Sequence, residues 1–411
     1  MRVEKQREDG ISNFDERELH DKMLRDKYNA IVFHEGKGFP LYLVGGYLRD
    51  ALLHRDSLDR DFVAGGEYGS LLERVAMKTD GRLVRIGDVL GRIVLRDNST
   101  LDFTPLTSNI VSDLSRRDFT INSIAWSPAT GIIDPHGGIG DLRKRTIRIV
   151  SRRNLNQDPI RLIRAYRFAS ELSFRIDPGT SRIIREMSGI ITNSKSERIT
   201  LEFFKILNLD TSSKALYRML NDGLLNHLIP ITGAELRGTL RVLSRVERIF
   251  NVLPLKYRDM LHEIYSQGLS RKGLIRLEVL LGDVTIAKRL SLSRKISKNV
   301  KIISEGERLF PAGRWTHRTL FEAFALMGDA SIDFLIVKGR HKLLVEYERY
   351  NSIIKNGILS TEEIIRESGL SEGIILGDLI MSLRRAEFEK RIGNREEALS
   401  LVKALQQGNL T

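Results

Sequence analysis

Cysteine is absent from the 411 residues. That excludes a disulfide framework and any thiolate metal site, and it fits a reducing compartment. Long apolar runs are also missing: no stretch reaches the roughly 18 residues a spanning helix needs. The opening MRVEKQREDGISNF is charged and lacks an apolar stretch, so no secretory signal is expected there. A cytoplasmic location and no membrane partner are the resulting expectations. There is no repeat of fixed period and no low-complexity segment. The eight histidines show no metal-ligand spacing. Only nine prolines occur, and they are scattered, so segment boundaries are soft.

What the chain has in excess is positive charge. Lys and Arg number 66 against 53 Asp and Glu, a formal net charge of +13. Such a balance favours a polyanionic partner, nucleic acid before an acidic membrane. The excess is concentrated: residues 139–205 hold 15 Lys/Arg against 7 Asp/Glu. Within it Arg161, Arg164 and Arg167 recur every three residues, which places them on one helix face. Like charges stacked this way are unfavourable unless something anionic sits on them.

The length predicts two to four domains. The first third reads as α/β. Short β-rich runs stand at 41–46, 60–65, 82–87, 91–97 and 100–106, with helical spacing in YLRDALLH and EYGSLLERVAMKT between them. The expectation is an α+β head, a small mixed sheet with helices packed on one side. Past about residue 138 only TIRIV (146–150) looks extended, and amphipathic helical stripes run to the end. The stripes after 210 read as packing. His136 reads as a turn residue, and Trp126 and Trp315 as core or boundary aromatics.

The stretch LYLVGGYLRDALLHRDSLDRDF (41–62) carries the chemistry. Asp59 and Asp61 alternate with Arg60, so on a strand both point to one face. Two carboxylates so close repel, and a divalent cation removes the conflict. Hard oxygen donors at this spacing suit Mg²⁺, which shares its remaining positions with phosphate oxygens. Gly45-Gly46 closes an apolar strand and opens a helix, a turn in which backbone N–H groups can approach phosphate. Arg49 follows one turn later, and Asp102 lies in a later strand that could run beside the first pair. Together these groups describe a nucleoside triphosphate held on metal.

VGGYLRDALLHRDSLDRDF resembles the first motif of the class II tRNA nucleotidyltransferases and the related bacterial poly(A) polymerases, within the polymerase-β-like superfamily. RRDFTINSIAW (116–126), DPHGGIGDL (134–142), QDPIRLIRAYRFASELSF (157–174) and SERITLEF (196–203) resemble the motifs that follow, and SEGIILGDLIMSLRRAEFEKRIGNREEAL resembles the C-terminal pattern. The resemblance implies a nucleotidyltransferase head (1–138), then an all-α neck (139–208), body (209–310) and tail (311–411), the tail binding tRNA.

It also implies roles. Asp59 and Asp61 would hold the metal, and Asp102 would be the third catalytic acid near the primer hydroxyl. Gly45, Gly46 and Arg49 would cradle the triphosphate. Arg116 and Asp118 would meet triphosphate and ribose, with Asn122 in the same nucleotide-binding set. Asp158 and Arg161 would read the base: Arg donates to cytosine or adenine ring acceptors, and Asp accepts from the exocyclic amine. Arg164 and Arg167 would reach the phosphates. The implied reaction is in-line attack of an RNA 3′-hydroxyl on the α-phosphate of CTP or ATP, with pyrophosphate leaving. The implied partner is tRNA, gripped along its acceptor and TΨC arms.

Two departures bear on the member. Gln157 stands where the family usually has a glutamate that orients the base-reading arginine. Only thirteen residues, FTPLTSNIVSDLS, separate Asp102 from Arg116, where complete CCA-adding enzymes carry a longer flexible loop. The short connection resembles the CC-adding branch, which leaves adenosine to a separate A-adding enzyme. The alternatives are a full CCA-adding enzyme, an A-adding enzyme or poly(A) polymerase, and an RNA-binding protein that has lost catalysis.

Overall fold

A computed structural model of the chain describes residues 15–86, 90–310 and 315–406. The segment MRVEKQREDGISNF, read above as lacking a secretory signal, and Gly87, the expected end of the third strand, lie outside the described residues.

The head begins with two helices, α1 (Glu16–Arg25) and α2 (Lys27–Glu35). Asp15 and Asp26 cap them by accepting backbone N–H bonds in their first turns. Seven strands follow: β1 (Leu41–Val44), β2 (Arg60–Ala64), β3 (Arg82–Ile86), β4 (Leu90–Val94), β5 (Thr100–Pro105), β6 (Ala125–Ser127) and β7 (Gly131–Ile133). Their order in one sheet is β3-β4-β5-β2-β1-β6-β7, with β2 and β5 parallel and the other neighbours antiparallel. The mixed sheet was expected. The last two strands were not, because each has only three residues and gives periodicity nothing to register.

The helices α3 (Gly46–Leu52), α4 (Gly69–Thr79) and α5 (Ile110–Leu114) connect the strands. One face of the sheet is fully covered. Phe62 stacks on Phe103 at 5.0 Å, and Phe33 of α2 meets both Phe62 and Trp126 edge-on. Each such buried aromatic contributes on the order of 1.5–3 kcal/mol. The other face is covered at one end only, where Ile110 and Leu114 of α5 pack on Val44, Val63 and Ala125. Asp61 shares that face with Val63, beyond the cover.

The neck follows with α6 (Gly138–Arg143), α7 (Arg152–Gln157), α8 (Arg161–Glu171), α9 (Pro178–Met187) and α10 (Ser196–Leu207). A parallel pair, β8 (Thr146–Ile147) with β9 (Arg175–Ile176), ties its start to its middle. By contacts the chain makes two compact units. Residues through Ile206, with Lys214–His227, form the first; Leu207–Ser213 and the residues from Leu228 onward form the second. Head and neck therefore share one unit, a division coarser than the four segments expected.

The second unit is almost wholly helical. Its longest described helix, Gly233–Val252, opens with a capping box in which Thr232 and Glu235 bond reciprocally. Its larger core joins aliphatic residues to a group of aromatic rings that includes Phe321, Phe324, Tyr347, Tyr350 and Phe388. Trp315 stacks on Phe334 and Trp126 is fully buried, as core aromatics should be. One small ladder, Ile264–Ser266 with Leu269–Ser270, interrupts the helices. Its turn places Gln267 and Gly268 at positive φ, and a Gln-Gly pair is too weak a hairpin signal to read in advance. Among the described residues no helix is long and apolar enough to cross a membrane.

Candidate active site

An open cleft of about 500 Å³ lies in the first unit, between the uncovered end of the sheet and the helices α8 and α10. Six cations and four carboxylates line it, so its balance favours an anionic ligand: Arg49, Arg117, Arg161, Arg164, Arg198 and Lys205 against Asp61, Asp118, Asp158 and Glu202.

Gly45 and Gly46 form one wall. Gly45 has φ +74°, a conformation L side chains rarely adopt. A Cβ there would lie 3.0 Å from Arg117 Nη1 and 3.4 Å from Asp61 Oδ2. The turn therefore needs glycine twice over, for its torsion and for the close approach of two functional side chains.

Strand β2 delivers the acids. Arg60 points inward, ion-paired with Asp26 at 2.5 Å and set over the rings of Tyr28 and Tyr47. Asp59, the residue before β2, and Asp61, on the face of β2 opposite Arg60, are both exposed. Asp59 accepts from Thr100 Oγ1 at 3.0 Å. Asp61 is paired in register with Val44 on one side and Asp102 on the other. Solvent reaches the Asp61 carboxyl through the cleft, yet protein atoms crowd it. Lost hydration pushes its pKa above the ordinary carboxylate value; Arg117 opposes this, and Asp102 and Asp59 add to it.

Asp102 itself is turned aside. Arg92 of β4 donates Nε to Oδ1 at 2.7 Å and Nη2 to Oδ2 at 2.6 Å. Among the described residues, accordingly, no group of three acids or histidines is gathered for one metal ion. Asp61 lines the cleft and Asp59 borders it on the sheet; two carboxylates so placed offer hard oxygens, a chemistry that fits Mg²⁺ with its other positions left to water and phosphate.

A polar chain ties the second motif to the neck. Arg49 is buried, held by both oxygens of Asp50, and donates to Asn122 Oδ1 at 2.7 Å. Asn122 donates to Asp118 Oδ1 at 3.0 Å, and Arg164 grips Asp118 Oδ2 from α8. The Phe119 N–H adds a further bond. Burial alone would push the Asp118 carboxyl up, but the Arg164 charge and these bonds hold it below its usual range. Both of its oxygens accept hydrogen bonds from the protein. Asp118 thus sets the position of Arg164.

Asp158 and Arg161, the pair expected to read the base, sit at the junction of α7 and α8. Asp158 is held through both oxygens by Arg198, at 2.9 and 3.0 Å, with Arg161 Nε 3.8 Å away. Arg161 donates to the carbonyl of Asn154 at 3.2 Å. Gln157 is exposed.

Two of the expected residues lie outside the cleft lining, and the charged face of α8 is already paired within the protein. Arg116 is exposed, donates to Thr107 at 3.0 Å, and does not line the cleft; its neighbour Arg117 does. Arg167 is not a lining residue either: it pairs with Glu202 at 2.8 Å and Glu171 at 2.9 Å and lies over Phe168. The stacked arginines of α8 do not depend on a ligand for their counter-charge, because Asp118, Asp158, Glu171 and Glu202 supply it. The cleft does bring together Gly45, Gly46, Arg49, Asp61, Asp118, Asn122, Asp158, Arg161 and Arg164, while Asp59 and Asp102 border it on the sheet. Arg117, Arg198 and Lys205 were missed. RR before DF in the second motif and SER in the neck motif were the only available signals, and neither says which arginine turns inward.

Known proteins match this architecture. Residues 41–148 match the poly A polymerase head domain family, and 173–236 the family described as the probable RNA and SrmB- binding site of polymerase A. A CC-adding tRNA nucleotidyltransferase of Geobacter sulfurreducens is 30% identical over 390 residues, covering 88% of this chain and 91% of the relative. A CCA-adding enzyme of Streptococcus gordonii is 25% identical over 394 residues, covering 88% and 92%. In fold, the chain resembles the Thermotoga maritima CCA-adding enzyme complexed with tRNA, with a TM-score of 0.76, 24% identity, and 95% and 98% of the two chains covered. Sheet, cleft and sequence agree: this chain belongs to the class II tRNA nucleotidyltransferases, enzymes that add nucleotides to the 3′ end of tRNA.

Proposed function

We propose that the chain adds two cytidines to the tRNA 3′ end from CTP and leaves the terminal adenosine to a separate A-adding enzyme in the cytoplasm. The observation that carries this is the connection from Asp102 to Arg116. It folds as the end of β5, a turn, and α5, which Asn109 caps and whose Ile110 and Leu114 are buried against the sheet. A segment so short and so anchored leaves no free loop for a change of nucleotide. The CC-adding relatives of Geobacter sulfurreducens and Synechocystis support the same reading. The streptococcal CCA-adding relatives favour the alternative, complete CCA addition using ATP as well.

In this reading the Gly45-Gly46 turn, Arg117 and Lys205 receive the triphosphate, while Arg49 and Asn122 brace the wall behind it. Arg164, fixed by Asp118, faces the same phosphates. Arg161 donates to the cytosine ring acceptors, and Asp158 accepts from the exocyclic amine; uracil and guanine present the reverse pattern. Asp59 and Asp61 would hold Mg²⁺, which when bound supplies positive charge at the reacting phosphate. The RNA 3′-hydroxyl attacks the α-phosphorus in line, and pyrophosphate leaves with its charge met by the cleft's cations.

The test offers labelled CTP or ATP separately to tRNAs ending at the discriminator base, at C and at CC. Addition from CTP that stops after two residues is expected. Addition of ATP to the CC end would establish the complete CCA reading instead. Asp61→Ala should abolish incorporation while tRNA binding persists, and full activity in that variant would remove the acids from the chemistry.

A further inference from the structure

Arg92, Asp102 and Asp61 stand in one row across three adjacent strands, paired in register from β4 to β5 to β2. Directly paired residues project to the same face. Arg92 takes both oxygens of Asp102 in a two-pronged bond, at 2.7 and 2.6 Å, the strongest geometry open to an arginine and a carboxylate. The result is a row in which Asp61 lines the cleft, while its neighbour Asp102 is occupied by a side chain of the same sheet.

We propose that Arg92 is a positioning residue that competes with a divalent cation for Asp102, so that the third carboxylate joins the metal only when Arg92 lets go. The inference rests on the reading of Asp59 and Asp61 as cation ligands. A guanidinium and a divalent cation seek the same lone pairs, and a carboxylate has about four to give. With no cation, three carboxylates at one sheet edge would repel, and Arg92 is the counter-charge that makes the empty site tolerable. Its side chain is partly exposed, whereas Asp102 is largely covered, so Arg92 can swing toward solvent while Asp102 stays. The same pairing carries a cost: it withholds one ligand and keeps a positive charge beside the ion.

The experiment measures Mn²⁺ binding by electron paramagnetic resonance on the full chain without nucleotide. It compares wild type, Arg92→Gln, Asp102→Asn and the double variant, a cycle that separates coupling from simple charge effects. Arg92→Gln should bind Mn²⁺ about tenfold more tightly, and Asp102→Asn alone should stay within about twofold of wild type. In the double variant the gain should vanish. Equal weakening by Asp102→Asn in both backgrounds would overturn the proposal, since Asp102 would then already serve the metal. So would unchanged or weaker binding in Arg92→Gln, or no binding in any variant. Arg92→Lys, which keeps the charge and loses the two-pronged grip, should tighten binding by about threefold and carries the test if Arg92→Gln fails to fold. Asp61→Asn tests the underlying reading separately: Mn²⁺ affinity unchanged in that variant removes the cation site itself, whatever Arg92 does.

Discussion

Arg198 holds both oxygens of Asp158, at 2.9 and 3.0 Å, across forty residues of sequence. The acid proposed to read the exocyclic amine is therefore aimed by a neighbouring helix, and Arg161 approaches the same carboxylate from its own helix at 3.8 Å.

Removing that grip should loosen base choice more than it weakens binding of the triphosphate. A charged hydrogen bond contributes about 1.5–3 kcal/mol when shielded. Arg198 is half exposed, so about 1 kcal/mol is the appropriate scale. For Arg198→Ala, the ratio of kcat/KM for CTP over UTP should fall about fivefold. A ratio equal to wild type would show that Asp158 holds its place without Arg198.

In the second unit, Glu278 and Asp333 are both buried and share one donor: Asn299 Nδ2 lies 2.6 Å from Glu278 Oε1 and 3.2 Å from Asp333 Oδ2. Burial pushes Glu278 well up, and the Asp333 charge adds to this. Burial also raises Asp333, although Arg271 opposes it from 2.7 Å. A carboxyl whose folded pKa is raised stabilises the fold while it is protonated. That contribution is complete below the unfolded value and is lost as pH rises through the folded one. Protection of helix Arg271–Leu281 against hydrogen exchange, corrected for intrinsic rates, should therefore decline in wild type as pH rises above the ordinary carboxylate range, and decline less in Glu278→Gln. Parallel profiles in the two proteins would count against a buried proton.

Arg237, Arg241, Arg245 and Arg248 are exposed along helix Gly233–Val252, opposite the buried Leu236, Leu240, Leu243 and Val246. Successive members lie about 6 Å apart along the axis or less. Among the described residues none of the four has an ion pair, and Glu247 is turned to the buried Arg276. The stripe is suited to an RNA backbone. Arg241→Glu with Arg245→Glu should weaken tRNA binding at low salt by at least about tenfold and reduce the log–log salt slope by roughly 1.5. An unchanged slope would mean the stripe serves solubility alone.

Legibility followed sequence distance. The opposite facing of Arg60 and Asp61 was readable because alternation on a strand is a local rule: Arg60 points inward to Asp26, and Asp61 lines the cleft. The Gly45-Gly46 turn was readable because positive φ is a glycine property. Arg116 and Arg117 could not be told apart, since the choice between cleft and solvent depends on how α5 seats against the sheet. The pairing of Arg167 with Glu202 was not readable, because Glu202 comes from a helix thirty-five positions later.

By itself the sequence determined the sheet-forming runs, the helical remainder, the positive balance and the ordered motifs that mark the family, because each depends on residues near one another in the chain. Only the tertiary structure decided who neutralises whom: Arg92 on Asp102, Arg164 on Asp118, Arg198 on Asp158. Charge pairing acts over a few ångströms of space, and strand register and helix packing set that spacing between segments that the order of residues leaves far apart.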